Sequence, residues 1–212
     1  AMIPNGCNFV QRIEWTEEIK KEGKTFIKFT KKENVANIIK KGNNKKIGEK
    51  ILDKKFILSK DMAILSGFGY DKITVKNKIN VAVISSGNEI ADIGADLKEG
   101  EIYDANAPML LSRVSNLSCN GKFYGRARDD EKEIREILNK AINENDMVLI
   151  TGGVSMGDFD YVDKILRDIG VRQIFHGLAM KPGKPLFFGK FGNKAIFALP
   201  GNSVSAYMIL KL

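Results

Sequence analysis

A chain of 212 residues, 43% hydrophobic and 28% charged, has room for one large domain, or one domain plus part of another, around a real apolar core. No apolar run approaches the roughly 20 residues that cross a bilayer, and no basic-then-apolar leader ends in small residues, so a cytoplasmic protein without a membrane partner is expected. The formal charge of +8 attracts polyanions, but the lysines of residues 20–60 are scattered and have few aromatics among them; that argues against nucleic acid and leaves small anionic substrates compatible.

Residues 1 to about 77 read as short strands separated by turns. Pro4, Asn5 and Gly6 form a turn signal. Residues 9–13 and 25–29 carry the β-branched and aromatic content of strands. A second turn falls at residues 41–44, and residues 61–67 suit a short helix capped by Ser59 and closed by Gly67. Residues 76–78, Lys-Asn-Lys, are the expected boundary between this β-rich linking region and a larger domain.

Beyond that boundary the rhythm changes to alternating strands and helices. Residues 81–85 form a continuous apolar strand that ends at Gly87. Asn106 is placed to cap a helix with Pro108 in its first turn and Leu110, Val114 and Leu117 on one face. Residues 122–125 read as a short strand. Ile134, Ile137, Leu138, Ala141 and Ile142 then carry the strongest helical spacing in the chain. A further apolar strand covers residues 147–150, and Val162, Ile165, Leu166 and Ile169 mark a helix closed by Gly170. Two strands, residues 186–188 and 195–198, precede a last helix near Ser203. The first residue, Ala1, and the apolar stretch 204–212 lead us to expect a fragment. Strands apolar on both faces, alternating with helices, predict an α/β fold with a mostly parallel sheet flanked by helices. In such sheets ligands bind beyond the carboxyl ends of the strands.

The chemistry-bearing residues collect at those ends. TGGVSMGDFD, residues 151–160, joins a buried strand to a helix. Gly152 and Gly153 let backbone N–H groups approach an anion, and Thr151 and Ser155 add hydroxyls. Asp158 and Asp160 are candidates to hold a divalent cation against phosphate, or else to cap the next helix. MKPGKP, residues 180–185, sets Lys181 and Lys184 around a stiff Pro-Gly turn, which suits an oxyanion or a solvated loop. LPGNS, residues 199–203, ends a strand with Pro200 and Gly201, while Asn202 and Ser203 are natural caps. SSGNE, residues 85–89, offers Glu89 as a metal-linked acid, and Asp129 with Asp130 precedes the helix at residue 131. Cys7 and Cys119 lie far apart, and His176 is the only histidine, so a Cys/His zinc site is not expected.

The series SSGNEI, YDANAPML, RARDD, TGGVSMGDFD, AMKPGKP and LPGNSVS resembles, in order, the molybdopterin molybdotransferase family, to which the catalytic end of gephyrin is also similar. The resemblance implies a molybdopterin-binding-like domain over residues 78–212, preceded at 1–77 by part of a smaller β-rich and linking region. It places the family's N-terminal segment and C-terminal β-rich domain outside these residues. The implied reaction inserts molybdate into adenylylated molybdopterin with release of AMP, assisted by Mg²⁺. Glu89, Asp129, Asp160 and Lys181 would be the acidic and basic members of the active site; Glu89, Asp158 and Asp160 would serve the metal. Thr151, Gly152, Gly153, Ser155 and Gly157 would cradle the pterin phosphate, with Lys184, Pro200, Gly201, Asn202 and Ser203 around the ligand. Family members are dimers, and an adenylyltransferase acts one step earlier, so a homodimer and such a partner are implied. Three positions depart from the pattern: Asn88 replaces the usual Asp, Ser203 the usual Pro, and His176 or Gly177 a lysine that some members carry. Two other functions remain open, a noncatalytic scaffold of the gephyrin type and a molybdopterin adenylyltransferase. The adenylyltransferases share the two-glycine strand end but lack the MKPGKP and LPGN pair.

Overall fold

The computed structural model describes residues 2–153 and 161–211. The chain divides into two units, residues 1–74 and 75–212.

In the first unit, strands β1 (Thr16–Lys21) and β2 (Lys24–Phe29) form an antiparallel hairpin, with Thr16 opposite Phe29 and Lys21 opposite Lys24. The turn between them holds both Glu22 (φ 54°) and Gly23 (φ 73°) in the left-handed region, which matches the twist of a two-residue hairpin. Residues 9–13, expected as a strand, are not one: they lead into a short 3₁₀ turn, Ile13–Trp15. The partner of β2 is instead the charged run Thr-Glu-Glu-Ile-Lys-Lys, whose composition hides its pairing. Beside it, the Arg12 guanidinium and the Lys31 ammonium lie 4.9 and 4.3 Å from the centroid of the Trp15 ring. Helix α1 spans Ser59–Gly67. Its cap is not Ser59: the Asp61 carboxylate reaches back to accept from Leu58 N at 3.0 Å.

The second unit holds strands β3 (Asn80–Ser86), the two-residue pair β4 (Ile90–Ala91) and β5 (Ile102–Tyr103), helix α2 (Asn106–Asn116), β6 (Asn120–Ala127) and α3 (Glu131–Glu144). Next come β7 (Met147–Thr151), α4 (Tyr161–Asp168), β8 (Arg172–His176), β9 (Phe187–Phe191), β10 (Lys194–Leu199) and α5 (Ser203–Ile209). Among the described residues, six strands form one sheet in the order β6-β3-β7-β10-β9-β8. The first four are mutually parallel, and β9 runs antiparallel to both of its neighbours. The sheet is mostly parallel and flanked by helices, as its apolar strands predict. Strand β8 has no counterpart in the sequence pattern: its side chains are exposed and it lacks an apolar run, because an edge strand packs on one neighbour only.

Strand alternation sorts the core into two layers. Ala82 and Ile84 of β3, Val148 and Ile150 of β7, and Ile196 and Ala198 of β10 point to one face. There they meet Ile134, Leu138, Ala141 and Ile142 of α3 and Val162, Ile165 and Leu166 of α4. Val81, Val83, Leu149 and Leu199 point to the other face, against Leu110 and Val114 of α2 and Ala206 and Ile209 of α5. Leu138 is fully buried, so Leu138→Ala would remove a contact worth about 2–5 kcal/mol. The caps show why the helices start where they do. Asp130 Oδ1 accepts from Lys132 N (3.0 Å) and Glu133 N (2.9 Å) at α3, and Asn202 Oδ1 accepts from Ser205 N (3.1 Å) at α5. Helix α2 departs from expectation. Its cap is Asp104, whose Oδ1 accepts from Asn106 N and Ala107 N at 3.0 Å each, not Asn106 itself.

Candidate functional site

Parallel pairing brings the carboxyl ends of four strands to one edge. Ser85 of β3 and Leu199 of β10 both stand opposite Thr151 of β7, and Ser86 stands opposite Ala127 of β6. The turns that leave these strands are tied to one another: Gly87 N donates to Ala127 O at 3.2 Å, and Gly152 N donates to Leu199 O at 3.1 Å. Because β9 runs the other way, its first residue, Phe187, lies opposite Ala198 of β10 and His176 of β8. The segment 177–186, which carries Lys181 and Lys184, therefore emerges at the same edge.

At that edge the backbone is stripped of side chains where a Cβ would not fit. Gly152 has φ +91°, and a Cβ there would lie 2.2 Å from Ser86 O; on Gly153, at φ +64°, it would lie 2.6 Å from Val162 Cγ2. Both glycines are therefore required by the local fold as well as being suited to an anion. Gly201 leans over the same turn, its Cβ position 3.9 Å from Gly152 Cα, and its carbonyl accepts from Asn106 Nδ2 at 2.8 Å. Thr151 and Pro200 are buried, whereas Gly201 and Asn202 are exposed. Asn202 caps α5, and Ser203 begins that helix half-buried without capping it.

The carboxylates lie on the β3–β6 side. Glu89 is exposed, and its carboxylate folds back over Gly87, where a Cβ would meet Oε2 at 2.7 Å. Asp129 is not the cap of α3. Its Oδ2 accepts from Asn88 N at 3.3 Å, while Asn88 Oδ1 accepts from Asp129 N at 3.1 Å. The lysine loop is held from behind: Gly177 N donates to Leu186 O (2.7 Å) and Leu178 N to Lys184 O (2.8 Å). Leu178 and Met180 pack on the α2–α5 core layer. Lys181 and Lys184 remain exposed and make no ion pair among the described residues. His176 has its Nδ1 3.6 Å from Asp163 Oδ2. Ser155, Gly157, Asp158 and Asp160 lie outside the described residues.

Two carboxylates with oxygen donors on adjacent strand ends have the chemistry of a hard-cation site. Among the described residues no three His, Cys, Asp or Glu side chains converge, so Glu89 and Asp129 are at most part of a donor set. Also among the described residues, no helix is long and apolar enough to cross a membrane.

Three residues of the site escape sequence reasoning in their roles. Ser85 Oγ donates to Asp104 Oδ2 at 2.5 Å, which couples the end of β3 to the cap of α2. Asn106 clamps Gly201 across 95 positions of sequence. Ser86 is buried beside the two glycines. The signals in the sequence are two motifs: SSGNEI, which holds Ser85 and Ser86, and YDANAPML, with Asp104 two residues ahead of Asn106.

The family model described as a probable molybdopterin binding domain matches residues 82–212. The chain belongs to that family. The molybdopterin molybdenumtransferase of Staphylococcus aureus (strain COL) is 31% identical over 208 residues, 98% of this chain and 49% of that protein. Its counterpart from Staphylococcus epidermidis is 33% identical over the same coverage. A crystal structure of the molybdopterin biosynthesis protein MoeA from Pyrococcus horikoshii superposes with a TM-score of 0.74 and 33% identity, covering 99% of this chain and 52% of that one. The chain thus spans about half the length of the relatives it matches. Every strand of the molybdopterin-binding domain's six-stranded sheet except the first two residues of β3 falls inside the matched span. All the motifs at the sheet's carboxyl edge fall inside it too.

Proposed function

We propose that this chain is the substrate-binding part of a molybdopterin molybdotransferase, which inserts molybdate into adenylylated molybdopterin and releases AMP. The observation that carries the reading is a meeting at one sheet edge. Glycine turns free of side chains, two carboxylates and a loop with two lysines that make no ion pair among the described residues come together there. The relatives named molybdopterin molybdenumtransferase support the same activity.

In this reading Thr151, Gly152, Gly153, Ser155 and Gly157 cradle the pterin phosphate, and Pro200, Gly201, Asn202 and Ser203 line the opposite wall. Lys181 and Lys184 offset the negative charge of the molybdate or phosphate oxygens, an effect that grows as charge develops on the cleaved pyrophosphate. Mg²⁺ would be held by Glu89, Asp158 and Asp160 and would neutralise phosphate charge; carboxylate oxygens are the donors such a cation takes. Asp129, tied to Asn88, completes the acidic side. Residues 78–212 form the molybdopterin-binding unit and 1–77 its β-rich and linking region. The homodimer and the adenylyltransferase supplying substrate rest on the family resemblance alone.

Full-length protein given adenylylated molybdopterin, Mg²⁺ and molybdate, without ATP, is expected to release AMP only when molybdate is present. No release, in an assay where the Staphylococcus aureus relative works, would overturn the proposal.

A further inference from the structure

The two serines that end β3 are neighbours with opposite fates. Alternation turns Ser85 toward the α2–α5 layer, where its hydroxyl donates to Asp104 Oδ2 at 2.5 Å. Ser86 turns toward the α3–α4 layer, is 5% exposed, and its Oγ has no hydrogen-bond partner among the described residues. That oxygen lies 3.7 Å from where a Cβ of Gly153 would stand, which places it beside the glycine turn. A buried hydroxyl without a partner costs free energy that a folded protein normally avoids. The cost is recovered when a ligand supplies the partner.

We propose that Ser86 is a binding residue of the glycine turn, donating its hydroxyl hydrogen to an oxygen of the ligand's phosphate. The inference rests on the proposed function, which puts the pterin phosphate at Gly152 and Gly153. Neither glycine sets a side chain of its own over Ser86: a Cβ on Gly152, at φ +91°, would lie 2.2 Å from Ser86 O, and one on Gly153, at φ +64°, 2.6 Å from Val162 Cγ2. A phosphate oxygen is an acceptor whose charge strengthens a hydroxyl's bond, and no protein acceptor competes for that hydrogen among the described residues.

Ser85 provides the internal control, because its hydroxyl is engaged in the free protein. In the full-length protein, the affinity for adenylylated molybdopterin and the urea midpoint without ligand are measured for wild type, Ser86→Ala and Ser85→Ala. Ser86→Ala is expected to bind about tenfold to a hundredfold more weakly, the range of one hydrogen bond to a charged acceptor. Its urea midpoint should be unchanged or higher, since an unpaired buried group has been removed. Ser85→Ala should lower the midpoint. Binding by Ser86→Ala within twofold of wild type would overturn the assignment while leaving the proposed function standing. A midpoint for Ser86→Ala that falls as far as that of Ser85→Ala would make Ser86 structural and also overturn it. If wild type does not bind adenylylated molybdopterin, the proposed function fails and the role of Ser86 fails with it.

Discussion

Asn88 and Asp129 hold each other across the ends of β3 and β6, each side chain accepting from the other's backbone N–H. The pair bears on the position where the resemblance implies an aspartate. Asn88 uses its oxygen, not its amide nitrogen, so it keeps the contact that an aspartate would make while removing one negative charge from the edge. Asn88→Asp should therefore preserve both hydrogen bonds and add a carboxylate beside Asp129. We expect Mg²⁺ affinity, measured by calorimetry on the full-length protein, to rise roughly five- to tenfold, as one added charge at close range implies. Without Mg²⁺ the thermal midpoint should fall slightly from like-charge repulsion. Unchanged Mg²⁺ affinity would separate this corner from the cation. The same economy is seen at Asp104, one carboxylate that caps α2 and also receives the Ser85 hydroxyl.

Helix α3 is set by its termini as much as by its apolar face. Asp130 caps its start, Glu133 Oε2 accepts from Arg128 N at 3.1 Å, and Lys194 Nζ donates to Asn143 O at 2.9 Å beside its last turn. Its exposed face is tied to α4 through Arg135, which bridges Glu131 (2.8 Å) and Asp168 (3.2 Å), with Lys164 3.4 Å from Glu131. The hydrogen bond from Arg135, then that from Lys164, holds the Glu131 carboxyl below its ordinary 4.5. A carboxyl depressed on folding adds stability above its unfolded pKa, and this is lost as pH falls through the folded value. We therefore expect the urea midpoint of wild type to fall below pH 4.5 more steeply than that of Glu131→Gln, with the two converging in strong acid. Salt should shrink the difference, because the pairs are exposed. Equal slopes would show that the bridge does not contribute.

At the scale of the whole molecule, both core layers belong to one unit. The α3–α4 and α2–α5 layers are built from residues 81–210, whereas the hairpin β1–β2 exposes Phe26, Ile27 and Phe29. Residues 75–212 expressed alone should accordingly unfold in a single cooperative urea transition, followed by circular dichroism. A broad, non-cooperative loss of signal would show that the sheet depends on the residues that precede it. The site arises from the arrangement of this unit: parallel β6, β3, β7 and β10 must all end at one edge, and the reversal into β9 delivers the lysine loop there.

The sequence by itself determined the α/β class, the buried strands β3, β7 and β10, and helix α3. Each shows in a local pattern: apolar runs for strands covered on both faces, and three-and-four spacing for an amphipathic helix. It also marked Gly152, Gly153, Lys181 and Gly201 as chemistry-bearing, because strand-end glycines and a lysine-flanked Pro-Gly turn are readable without a fold. Only the tertiary structure decided which partners these residues have. Strands β1 and β8 are invisible in the sequence because their exposed runs, TEEIKK and RQIFH, are mostly polar and show no clear alternation. The cap of α2 went to Asp104, the clamp on Gly201 to Asn106, and the pairing of Asn88 to Asp129, because each contact joins segments brought together by the sheet's order. A hydrogen bond depends on where two chains end in space. Ser85 and Ser86 are the same residue in the sequence and opposite in role, and the face each one meets is what separates them.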